Sequence, residues 1–392
     1  MNLTSTNQHR CPWPVMPAAV LLLIALPLSG ASFKPPLRTE DGFAVPQQGQ
    51  RFEFPRDHGS HPEFKIEWWY ITGHLFDGDE QRYGFQATFF RRAGPRGPAG
   101  KLEEHSPQFA HDELHLAHMA LTDVTGKQFH HEERLNRRGW DADASTNTLA
   151  LHNGNWSLRL GTNGVGSMAL TGSIHADAAY TLELTPRKPL VFFGDDGVSR
   201  KGAAPTAASH YLTWTRLEVA GQLTVNGRER PVRGEAWMDH EISSSQLDDD
   251  QAGWDWASLQ LNDGREVMAY RMRKLDGSTD PFSRLAWVDA EGGLTQDGSG
   301  EFTWSAARIW TSPTTGAEYP VGVTITTRDP ATGNDVSFTL EPLLMDQELH
   351  GAVGGVAYWE GACRVRDASG EEVGSAYLEL AGYLGSLNAR FK

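Results

Sequence analysis

Cysteine is almost absent from this chain: Cys11 and Cys363 are the only two among 392 residues. Cys11 falls in a segment that reads as a removable leader, so the mature chain would hold one thiol and no intrachain disulfide. Basic residues are also in deficit. The 35 Lys and Arg stand against 50 Asp and Glu, for a formal net charge of -15. That balance argues against nucleic acid and against anionic membrane surfaces as partners. No stretch of the mature sequence sustains apolar residues at helical spacing over three turns, which excludes a helical bundle. The chain lacks a Gly-x-Ser-x-Gly elbow and a His-Glu-x-x-His run, so the commonest serine-hydrolase and metalloprotease signatures are missing.

What is present begins with the leader. His9 and Arg10 precede an apolar run from Val15 to Leu28, broken by Pro17 and Pro27, and Ser29-Gly30-Ala31 supplies small residues for cleavage. Residues 1–31 therefore read as a secretory signal cut near Ala31, and the mature protein as periplasmic or secreted. The run is shorter than the ~20 residues of a spanning helix, so no stable membrane span is expected after cleavage. No cysteine follows it to carry a lipid.

Strand and turn signals fill the remainder. Apolar and aromatic runs such as Glu67 to Leu75, Arg82 to Phe90 and Ala257 to Leu261 alternate with Asp77-Gly78, Asn226-Gly227 and Asp263-Gly264. Such dipeptides close tight hairpins. The pattern also repeats. Trp68 and Trp254 each precede an Asp-Gly turn by nine residues. Gly234-Glu235-Ala236-Trp237-Met238-Asp239 and Gly374-Ser375-Ala376-Tyr377-Leu378-Glu379 then close the two copies. The predicted organisation is a duplicated all-β protein, with copies at about 50–242 and 250–390. Many antiparallel strands without covering helices favour closed barrels, and a barrel of about eight strands can hold one small apolar ligand.

The chemistry concentrates at Trp237-Met238-Asp239-His240-Glu241. Strand alternation puts Asp239 and Glu241 on one face and His240 on the other. The run fits either an acid/base set or a hydrogen-bonded clasp between the copies. Its counterpart Glu379 has no neighbouring histidine, so a site built on Asp239 is expected to belong to copy one. Asp255, between Trp254 and Trp256, fits either a desolvated acid or a strand-start aspartate bonded to the backbone. Asp57-His58 with Glu67-Trp68-Trp69-Tyr70 forms a second polar-aromatic patch, in which a tryptophan can line a pocket or plug a barrel floor. His111, His115 and His118 read as a scattered surface set, so no metal ligand is assigned; His118 alone is kept as a pocket candidate. Ser243-Ser244-Ser245 reads as linker, and Cys363 as a small core residue.

Eight motifs in order carry a family resemblance: Pro55-Arg56-Asp57-His58-Gly59, His61-Pro62-Glu63-Phe64, Glu67-Trp68-Trp69-Tyr70, His118 with Leu121-Thr122-Asp123, the Asp239 run, Gly253-Trp254-Asp255-Trp256, Tyr358-Trp359-Glu360-Gly361 and Tyr377-Leu378-Glu379-Leu380. Over roughly residues 50–385 the chain resembles the secreted AttH-like proteins grouped with the carotenoid hydratase hydroxyneurosporene synthase. The resemblance implies two tandem lipocalin-like antiparallel β-barrels, no organic cofactor and a lipophilic substrate or ligand, isoprenoid or polyene in type. It implies acid/base work of the hydratase, lyase or isomerase kind in preference to hydrolysis. Asp239, His240, Glu241 and Asp255 are then the catalytic candidates. Asp57, His58, Glu67, Trp68, Trp69, Tyr70, His118, Trp237, Trp254 and Trp256 are the ligand-binding candidates. The catalytic group is expected near the junction of the copies. Family labels also include secreted hydrolase and ABC-transporter association, so a lipocalin-type lipid carrier serving a transporter is the alternative. Ile242 departs from the family pattern, which has an aromatic residue there, and this counts against strict carotenoid hydration.

Overall fold

The computed structural model describes residues 1–2, 34–96, 113–162, 166–351 and 357–387. The leader read from the sequence lies almost wholly outside them. The described residues are all-β, with one short helical turn, Arg56–His58. No helix among them is long and apolar enough to cross a membrane.

Among the described residues, two antiparallel sheets follow one another along the chain, of 13 and 10 strands. The first nearly closes into a barrel and the second forms a half-barrel, a pair of lipocalin-like units. In the first, the opening strand Ile66–Asp77 lies between Arg82–Arg92 and the closing strand Arg228–Ser245, which pairs in turn with Ala208–Val225. In the second, the opening strand Gln251–Leu261 lies between Glu266–Lys274 and the closing strand Glu372–Ala381, which pairs with Ala357–Arg366. The sequence repeat thus marks equivalent strands. Tyr70 lies opposite Asp239 in the first sheet, as Trp256 lies opposite Glu379 in the second.

Alternation sorts each strand between two environments. Trp69, Ile71 and Leu75 enter the core of the first sheet with Phe85, Ala87 and Phe89. Ala257, Leu259 and Leu261 enter the core of the second with Val267, Trp287 and Trp359. The intervening residues face the other sheet and make a third core, in which Tyr70 and Trp237 pack with Trp256, Met268, Tyr270 and Tyr377. Burying each such large side chain contributes about 1.5–3 kcal/mol.

Polar bonds cross the same junction. Gln260 donates to the Ala236 carbonyl at 2.9 Å, and Thr122 donates to Gln347 at 2.7 Å. Glu266 accepts from Lys188 at 2.6 Å and from Arg216 at 2.7 Å. The Ser243-Ser244-Ser245 segment, expected as linker, is instead the buried end of the closing strand, where Ser243 bonds the Ala208 carbonyl at 2.7 Å.

Candidate functional site

A cleft of about 360 Å³ opens between the two sheets. Strand alternation builds it. The opening strand of the first sheet sends Trp68 and Tyr70 into it, and its neighbour sends Phe90. Trp254, Trp256, Tyr270 and Met272 face them from the second sheet. Aromatic walls with a few polar groups are the usual make-up of a small-molecule site.

Among the described residues, four carboxyl groups line this apolar space: Asp239 and Glu241 from the first sheet, Glu360 and Glu379 from the second. Asp239 is buried and held by three donors. Thr213 and Trp237 donate to Oδ1 at 2.6 and 2.7 Å, and Tyr211 donates to Oδ2 at 2.7 Å. Tyr211 also accepts from the Trp256 indole at 2.9 Å, which joins Asp239 to the second sheet. Burial pushes the Asp239 carboxyl up to about 7 against the pull of those donors. Glu379 is pushed up to about 8, again chiefly by burial, with the Trp254 indole opposing and the charges of Glu241, Asp239 and Asp255 adding.

Glu360 lies directly across from Glu379 on the paired strands. Burial and that neighbour raise it well above the usual carboxylate range. Tyr70 and Tyr358 face it and favour its ionised form, yet neither carboxyl oxygen has a hydrogen bond of good geometry. Two carboxyls this close in a low-dielectric wall do not both ionise near neutrality.

Glu241 differs from the other three. It is paired with Lys201 at 3.2 Å and accepts from Ser209, and the Lys201 ammonium rests over the rings of Tyr211 and Tyr270. His118 closes another part of the wall, bonded to the Tyr358 hydroxyl at 2.6 Å and to Glu133 at 3.2 Å. His118 and His115 are both buried and paired, not the surface set read from the sequence. His111 lies outside the described residues.

The remaining candidates lie elsewhere. Trp237 backs the cleft and holds Asp239 without lining it. His240 turns to the core side of the first sheet, where its Nε2 meets Glu67 Oε1 at 2.9 Å and Trp69 stacks on its ring at 4.7 Å. Asp57 and His58 are on that side too. Trp69 donates to the His58 carbonyl at 3.0 Å, and burial drops the His58 imidazole to about 4. Of the two adjacent tryptophans, Trp68 lines the cleft and Trp69 fills the barrel.

Asp255 points away from the cleft, between Arg271 and Arg273 at 2.8 and 2.9 Å and the Tyr383 hydroxyl at 2.9 Å. The structure therefore does not gather Asp239, His240 and Asp255 into one site. It adds Glu360, Glu379, Lys201 and Tyr211, of which the repeat marked only Glu379, as the counterpart of Asp239. Two of the cleft's carboxyls, Glu360 and Glu379, come from the second sheet.

A profile described as AttH-like matches residues 45–383. The chain belongs to the AttH-like family. A crystal structure of a protein assigned as AttH from Nitrosomonas europaea superposes with a TM-score of 0.77 at 35% identity, over 87% of this chain and 99% of that one. Kievitone hydratase from Nectria haematococca shares the fold, with a TM-score of 0.63 at 13% identity over 89% of this chain and 98% of its own. No curated protein matches this AttH-like chain by sequence.

Proposed function

We propose that this AttH-like protein is an exported enzyme that moves protons on a lipophilic, alkene-bearing molecule held between its two sheets, as a hydratase or a related lyase or isomerase. The observation that carries the reading is the Glu360–Glu379 pair, set across from each other on paired strands in an aromatic cleft that Asp239 also lines. Protonating an alkene needs a desolvated acid, and carboxyls raised by apolar surroundings are such acids.

In the hydration direction, the pair gives its proton to one alkene carbon and tryptophan faces stabilise the cation that forms. Water bonds to the other carbon, loses its proton to Asp239, and proton exchange among the cleft carboxyls restores the starting state. Asp239 suits the acceptor role because three donors stabilise its ionised form. The kievitone hydratase of shared fold is named for a hydration, which supports this reaction class for the present chain. Export, with cleavage near Ala31, is part of the same proposal; the mass of the mature N-terminal peptide tests it.

The experiment is a panel of isoprenoid and polyene alkenes in ¹⁸O-water, read by mass spectrometry, with a fluorescent polyene fatty acid as the binding probe. The wild type is expected to incorporate ¹⁸O into at least one compound. Asp239→Asn and Glu379→Gln should each lose about 10²–10⁴-fold in turnover while keeping probe affinity. Tight probe binding with no turnover on any compound would instead favour a lipid carrier, the reading that also suits a transporter partner.

A further inference from the structure

We infer that this chain carries a transition-metal site, separate from the cleft, whose ligands are His61 Nδ1, Glu67 Oε1 and His240 Nε2. These three atoms all lie within 4.8 Å of one another. They come from three parts of the chain: the loop after Arg56–His58, the opening strand and the closing strand. None of the three residues lines the cleft.

The geometry around Glu67 is divided between its two oxygens. Oε2 accepts from the Ser60 hydroxyl at 3.2 Å, the His61 amide at 2.9 Å and Arg91 Nε at 3.1 Å. Arg91 is itself fixed by the His61 and Phe64 carbonyls at 2.9 and 2.8 Å. The guanidinium thus sits on the far oxygen and orients the carboxylate. Oε1 is left to the two imidazoles, at 2.8 Å from His61 and 2.9 Å from His240.

Two imidazole nitrogens converging on one carboxylate oxygen are joined to it either by their own N–H protons or by one shared dication. The surroundings are those of ligands held for a metal. Asp57 lies 3.3 Å from His61 Nε2 and is anchored by Arg56 and the Glu53 amide. A carboxylate on the outer nitrogen of a histidine fixes the tautomer that presents the other nitrogen as a ligand. Trp69 stacked on His240 fixes the second ring. Two imidazoles and one carboxylate suit Zn²⁺ or a similar first-row dication, with a water completing four-coordination. The His61 side chain keeps 11% of its exposure while Glu67 has none, so the loop side is the entry.

The site does not depend on the reaction proposed for the cleft. A bound ion would tie the loop to both strands that present Asp239 and Trp68 on their other face.

The test uses chelator-stripped wild-type protein titrated with ZnCl₂ by calorimetry, and with CoCl₂ by visible absorption. Expected are one saturable equivalent, the intense d–d bands of low-coordinate Co²⁺ with imidazole ligands, and a higher melting temperature with Zn²⁺ than with chelator. Glu67→Gln and His240→Gln remove ligands within the fold. His61→Gln, on the loop, is the variant most tolerant of folding. Each should lower affinity at least tenfold, and Asp57→Asn, which touches only the outer nitrogen, should lower it about 10–100-fold. No saturable one-to-one binding by the stripped wild type would overturn the site. So would His61→Gln binding Co²⁺ with unchanged affinity and spectrum, since the ion would then sit on other histidines.

Discussion

Asp239 and Glu379 occupy the same place in two copies of one strand arrangement. Each closes its sheet opposite an aromatic residue of the opening strand, Tyr70 and Trp256 respectively. Packing the equivalent faces against each other brings both acids into one cleft. The two sheets differ around them. Asp239 has Thr213 across the next strand pairing, a donor, whereas Glu379 has Glu360, a second acid. The difference leaves Asp239 among three hydrogen-bond donors and Glu379 beside a second acid.

Glu379 gives stability a pH dependence of known sign. Its carboxyl is raised from 4.5 to about 8 by burial, with Glu360, Glu241, Asp239 and Asp255 among the acids around it and the Trp254 indole opposing. The folded chain therefore binds this proton more tightly than the unfolded chain does. Stability from this group is highest in acid and falls as pH rises between those two values. Replacing it with neutral Glu379→Gln should remove that loss. The melting temperature of the variant relative to wild type is expected to climb across the same pH interval. A constant difference would mean that Glu379 keeps an ordinary pKa.

Asp255→Ala should act on folding and not on the cleft. The carboxylate is fully buried between Arg271 and Arg273, on the far face of its strand. Removing one partner of a buried ion pair typically costs about 3–5 kcal/mol, because the other charge is left uncompensated. A large fall in the urea midpoint is expected. Probe affinity should be unchanged under conditions where the variant stays folded. A loss of affinity with stability intact would return Asp255 to the site.

These two acids also show what the sequence made legible. Alternation along Trp237–Glu241 and Trp254–Trp256 told which residues share a face, and the Trp and Gly-x-Ala-aromatic repeats told which strands are equivalent. Pairing between distant strands was not legible. Asp255 fitted either a desolvated acid or a strand-start aspartate bonded to the backbone, because Arg271 and Arg273 join it only through hairpin register. Glu360 looked like one letter of a motif because its significance lies in its place across the strand pairing from Glu379. His240 next to Asp239 suggested cooperation, although adjacent strand residues face opposite ways. Its true companions, His61 and Glu67, are far away in sequence.

Gly84 controls how closely the sheets approach. A Cβ built there would overlap the Ala362 methyl of the second sheet and touch the Thr122 side chain and the Tyr377 hydroxyl. Gly84→Ala must therefore push the sheets apart or shift strands within a packed interior, which costs about 1–3 kcal/mol. The expected result is a lower melting temperature together with weaker probe binding, because the cleft lies along the same junction. Unchanged probe binding would show that the cleft tolerates displacement of the sheets.

Trp68 and Trp69 offer a test at two adjacent positions. Trp69 is 1% exposed, packed in the first core against His240 and bonded to the His58 carbonyl. Trp69→Ala should cost about 3–5 kcal/mol, the range for deleting a large buried aromatic. Trp68 is only partly buried and faces the cleft beside Phe90. Trp68→Ala should leave the unfolding free energy within about 1 kcal/mol of wild type, since its ring covers ligand space more than core. It should weaken binding of the polyene probe at least tenfold, as one aromatic wall of the site is lost. The two variants are expected to separate cleanly, one in stability and the other in affinity. The reverse outcome, with Trp68→Ala unfolding the protein and Trp69→Ala releasing the probe, would place the ligand inside the first barrel instead of between the sheets.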